Sequence, residues 1–92
     1  MTVKTKRFDV AEHLETPEDI KLFLKVAAEE GSPEEFIIAL NTAARAVGMT
    51  EVSRRAGVTR ASLYKSLSGE GDPKFSTISR ITRALGCKLV VA

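Results

Sequence analysis

Twice in its N-terminal half the chain sets a hydroxyl residue before a proline and two acids, at Thr16-Pro17-Glu18-Asp19 and at Ser32-Pro33-Glu34-Glu35. Each residue type suits a helix start. The hydroxyl accepts a hydrogen bond from an unpaired backbone N–H, proline has no N–H to waste in the first turn, and acids meet the positive end of the helix dipole. Apolar stripes follow at helical spacing: Ile20, Phe23, Leu24, Ala27 and Ala28 up to Gly31, then Phe36, Ile37, Leu40, Ala43, Ala44 and Val47 up to Gly48. Gly31 is expected to supply a left-handed residue that ends the first helix, and Ser32 with Glu35 a capping box that starts the second. The chain therefore opens on two amphipathic helices.

Shorter pieces flank this pair. Asp9 and Glu12 form a capping pair for a helical turn that offers Phe8, Val10 and Leu14 for burial. After Gly48 the pattern predicts helices over 50–56 and 59–68, with Thr50 and Thr59 as N-caps and a turn at Gly57. Gly69, Gly71 and Pro73 mark a loop, a helix over 76–85 carries Ile78, Ile81 and Leu85 before Gly86, and 87–92 is a short β-prone tail. With 92 residues, 43% of them apolar, there is room for one small core and no large multidomain enzyme. One cysteine, Cys87, and one histidine, His13, exclude a disulfide framework and a structural zinc site, so no metal or cofactor is expected. The longest apolar run, 36–40, is far short of a membrane span, and the chain reads as cytoplasmic.

The formal charge of +2 conceals an asymmetry. Up to Gly48 there are six basic and nine acidic residues; beyond it there are eight basic and three acidic. A polyanion is drawn to the second half and repelled by the first. That basic half contains, over 50–68, the pattern of a helix-turn-helix: small Ser53 and Ala56 where two short helices cross, Gly57 in the turn, and Val52, Val58, Leu63 and Leu67 for a shared core. The second helix then turns Arg60, Ala61, Tyr64 and Lys65 outward, toward a major groove. Arg60 suits a bidentate contact to guanine, Ala61 a thymine methyl, and Lys65 a base or a phosphate; Thr59 and Ser62 suit phosphates. Tyr64 is open between a phosphate bond and packing on its own helix. Thr50 and Arg54 join the set from the first helix, where one of Arg54 and Arg55 is expected to be exposed filler. The plain alternative is a helical hairpin with a solvated basic face.

The chain resembles the addiction-module antidote proteins, HigA-like antitoxins with a Cro/C1-type, lambda-repressor-like DNA-binding domain. The resemblance runs from Phe8-Asp9 and Leu14 through Gly48-Met49 to Gly57-Val58-Thr59-Arg60-Ala61-Ser62-Leu63-Tyr64 and Leu67-Ser68, then Gly71-Asp72-Pro73-Lys74-Phe75 and Ala84-Leu85-Gly86. The Ser-Leu-Tyr run and the Pro-x-Phe that follows are its specific part. Ser53 departs from it, standing where such motifs often have alanine. The resemblance implies a single all-α, five-helix domain over 1–92: an N-terminal extension and first helix over 1–31, a core over 32–86, and a tail over 87–92. It also implies a dimer that binds operator DNA upstream of its own operon and neutralises a RelE/HigB-like ribonuclease toxin.

Two expectations come from the residues themselves. A two-fold dimer reading half-sites roughly 34 Å apart multiplies the few contacts of one recognition helix. Ile78, Ile81, Leu85, Leu89 and Val91 are its candidate interface, with closure of the monomer core as the competing role for Ile78 and Ile81. The acids Glu18, Asp19, Glu29, Glu30, Glu34 and Glu35 offer charge complementarity to a basic ribonuclease, although acids also cap and solubilise helices. The toxin-binding residues stay unassigned. An enzyme is disfavoured, because no nucleophile, base and orienter come together and no phosphate-cradling glycine loop is present. A solitary helix-turn-helix regulator and a helical interaction module are the remaining alternatives.

Overall fold

The computed structural model describes residues 10–69 and 72–89. After a 3-10 turn at Val10–His13 come five helices: α1 (Pro17–Glu30), α2 (Pro33–Val47), α3 (Met49–Ala56), α4 (Arg60–Ser66) and α5 (Phe75–Ala84). Among the described residues there is no strand. Cys87, Lys88 and Leu89 run on without regular structure; Val90 and Val91, the rest of the expected β-prone tail, lie outside the described residues, as do Phe8 and Asp9.

Both proline-containing starts are closed capping boxes. Thr16 Oγ1 accepts from the Asp19 amide at 3.1 Å, and Asp19 Oδ2 accepts from the amides of Thr16 at 3.1 Å and Glu15 at 3.0 Å. These bonds to the charged form, that from Glu15 first, hold the Asp19 carboxyl below its ordinary pKa. At α2 the Glu35 amide donates to Ser32 Oγ at 3.1 Å, and the Ser32 amide to Glu35 Oε1 at 2.7 Å. The first box went unread in the sequence because aspartate stands where glutamate is the usual partner.

Three expected boundaries are corrected. Gly31 is not left-handed; its φ of −102° and ψ of 166° are open to any residue. Its glycine answers to space instead, since a Cβ there would lie 2.8 Å from the Ala27 carbonyl oxygen and 3.1 Å from Glu35 Cβ. Thr50 is not an N-cap: α3 begins one residue earlier, directly from Gly48, with no side-chain cap. Likewise α5 starts at Phe75, after an uncapping Lys74.

The core lies where α1 and α2 pair and where α3 meets α2, α4 and α5. Small Ala39, Ala43 and Ala44 on α2 let the helices approach, and Leu40, Val52, Leu63 and Ile81 fill the centre. Each such side chain contributes roughly 1.5–3 kcal/mol by leaving water. Thr82 is buried as well, and its hydroxyl donates to the Ile78 carbonyl at 2.8 Å, so the polar atom is satisfied one turn back. Among the described residues no buried side-chain nitrogen or oxygen lacks a partner.

Candidate nucleic-acid interface

The joint between α3 and α4 is tight because Gly57 takes a left-handed conformation, φ 72° and ψ 32°. Its amide donates to the carbonyls of Ser53 at 3.0 Å and Arg54 at 3.3 Å, and the Val58 amide donates to Ser53 at 3.1 Å. The last carbonyls of α3 are thereby satisfied by the turn itself. Thr59 then caps α4, its Oγ1 accepting from the Ser62 amide at 3.0 Å. Val52, Ser53, Ala56, Leu63 and Leu67 are buried and Val58 is half-buried, so the inward edge expected from the sequence is the inward edge observed.

The opposite face is open. Thr59, Arg60, Ala61, Ser62, Tyr64 and Lys65 are all exposed. On α4 the pairs Arg60/Tyr64 and Ala61/Lys65 are each four residues apart and form adjacent rows along the helix. Arg60 Nη2 donates to Tyr64 Oη at 3.4 Å, and its guanidinium carbon lies 5.8 Å from the ring centroid. The Tyr64 ring therefore lies beside the Arg60 side chain, half exposed, and not in the core. Cation and ring form one surface feature, suited to an anionic partner.

The first helix contributes less free charge than its two arginines suggest. Glu51 binds both: Arg54 through Nε at 3.2 Å and through Nη2, and Arg55 through Nε at 2.7 Å. Hydrogen bonds from Arg54, then Arg55, pull the Glu51 carboxyl down to about 2. Arg55 also donates to the Ala84 carbonyl at the end of α5, at 3.3 Å. That role was invisible in the sequence, since nothing local relates residues 55 and 84. Thr50 and Arg54 remain on the exposed face of α3.

The expected dimer residues pack within the single chain as far as they are described. Ile78, Ile81 and Leu85 are 8%, 0% and 4% exposed within the single chain, and Leu89 packs on the same core. Within the single chain these residues serve the core, and Ile78 and Leu89 also line a groove between α2 and α5. Val91 lies outside the described residues. Cys87 is half-buried, and burial pushes its thiol pKa up, with Lys21 opposing, so it holds little thiolate at neutral pH. Among the described residues no three His, Cys, Asp or Glu side chains converge as metal ligands, and no helix is long and apolar enough to cross a membrane.

The structure thus presents a capped α4 whose exposed face carries Arg60 and Lys65, and similarity to known proteins adds the family. Over residues 4–92 the chain matches the family described as "probable addiction module antidote protein", and it belongs to that family. It is 43% identical over 91 residues to an uncharacterised protein of Haemophilus influenzae, a match covering 99% of this chain and 94% of the relative. No solved structure matches it significantly. Family membership makes the chain an antidote of a toxin–antitoxin module, with a toxin of some kind as partner.

Proposed function

We propose that the chain is a sequence-specific DNA-binding antitoxin of a type II module, one that represses its own operon as a dimer and neutralises a RelE/HigB-like ribonuclease toxin in the cytoplasm. The observation that carries the DNA half of this reading is the face of α4. A short helix has its buried edge filled by Leu63 while Arg60, Ala61, Ser62, Tyr64 and Lys65 stand clear of the protein. Arg60 and Lys65 form no ion pair among the described residues, so their charge is available to phosphates and base edges. Thr59, Thr50 and Arg54 flank this row as phosphate contacts. The fold is then read as lambda-repressor-like, with α3 and α4 as its helix-turn-helix.

The toxin half rests on the family and on charge. Glu18, Glu29 and Glu30 of α1 and Glu34 and Glu35 of α2 are exposed and suit a basic partner. Two experiments test the reading. In a mobility shift, the chain should retain DNA from upstream of its own gene in the presence of excess unrelated DNA. In co-expression, it should restore growth to cells making the small protein encoded beside it. Binding that makes no distinction between the two DNAs contradicts the repressor assignment, and unrelieved toxicity contradicts the antidote partnership with that neighbour.

A further inference from the structure

We infer that a second copy of this chain docks on the groove between the N-terminal ends of α2 and α5, each copy seating its Phe75 in the groove of the other. Phe75 is 73% exposed, the most exposed of the large apolar residues among those described. An aromatic ring left in water at that level marks a contact surface more often than an accident. Phe75 forms the exposed edge of a groove of about 370 Å³ whose other walls include Pro33, Phe36, Ile37, Ile78 and Leu89. A projecting ring next to an apolar groove is what a two-fold contact requires, because the same patch must supply both halves.

The rim charges favour a second copy over an unrelated protein. Glu34 and Asp72 line the groove, and Lys74 immediately precedes Phe75. None of the three is in an ion pair among the described residues. When Phe75 crosses into the facing groove, Lys74 travels with it toward the other copy's acids, and the reciprocal contact does the same. A two-fold axis through this surface also relates the two α4 helices of the pair. This interface supplies the dimer that the proposed function calls for; self-association itself is measured without DNA.

Sedimentation of the full chain over a wide concentration range tests it. Wild type should dimerise, and Phe75→Glu should raise the dimer dissociation constant at least ~30-fold, with unchanged helical circular dichroism because the ring is exposed. Lys74→Glu should weaken the dimer, and adding Glu34→Lys should restore it. A wild-type chain that stays monomeric throughout, or a dimer indifferent to Phe75→Glu, overturns the interface. A dimer that depends on Phe75 but does not bind its own upstream DNA would leave the interface standing and remove the repressor reading.

Discussion

Arg55 of α3 donates to the main-chain carbonyl of Ala84 at 3.3 Å while its Nε holds Glu51 at 2.7 Å, which ties the helix before the turn to the end of α5. Its neighbour Arg54 reaches only Glu51 among the contacts described. Two adjacent arginines are thereby separated into a structural one and a surface one. Arg55→Ala should lower unfolding stability by roughly 0.5–1 kcal/mol, a figure at the modest end because the side chain is half exposed. It should leave DNA affinity of the folded protein unchanged. Arg54→Ala should do the reverse. Denaturant unfolding and mobility shift, run on both variants, check the division; equal effects on both would erase it.

Glu51 gives this cluster a pH signature. Its folded-state carboxyl is held at about 2 against an ordinary 4.5. A group whose pKa is lowered by folding stabilises the fold fully above its unfolded value and loses that contribution as pH falls toward the folded one. Stability should therefore decline between about pH 4.5 and about 2, and Glu51→Gln should flatten part of that decline. Carboxyl titration by NMR checks the assignment, and an ordinary midpoint for Glu51 would contradict it.

Gly57 has no atom within 4 Å of where a Cβ would stand, yet its φ is +72°. The cost of Gly57→Ala is thus conformational and not steric, roughly 1–2 kcal/mol, and Gly57→Asn should lose less, since asparagine tolerates the left-handed region. Gly31→Ala should also destabilise, for the opposite reason: its backbone is ordinary but the Ala27 carbonyl occupies the space. Thermal unfolding of the three variants distinguishes the causes.

What was legible in the sequence was what depends on neighbours along the chain. The stripes of α1 and α2, the Ser32 box, the Thr59 cap and the inward edge of α3 and α4 all rest on local spacing. Contacts between distant residues were not legible. Ile78 and Ile81 read equally as core or as interface until the helices facing them are known, and within the single chain they pack in the core with Leu85. Phe75 lies three residues before Ile78 in the same apolar row, but as the first residue of α5 it projects past the packed region and is exposed. Arg55 was indistinguishable from Arg54 for want of any local sign of Ala84.

On α4 the two kinds of DNA contact should separate. Arg60→Ala should cost roughly 1–3 kcal/mol of specific binding and relax base preference at one position per half-site, whereas Ser62→Ala should weaken all sequences alike. Selection of binding sites by each variant reads this directly. An equal loss for Arg60→Ala on specific and random DNA would make it a phosphate contact.

The most direct test of the account is the salt dependence of binding to the chain's own upstream DNA, measured beside a scrambled duplex of equal length. If two copies present Arg54, Arg60 and Lys65 to the backbone and bases, log affinity should fall against log salt with a slope of about −3.5 to −5.5. The upstream sequence should stay at least ~1,000-fold tighter than the scrambled one at physiological salt. A shallow slope with equal affinity for both duplexes would contradict the assignment of α4 as a reader of DNA.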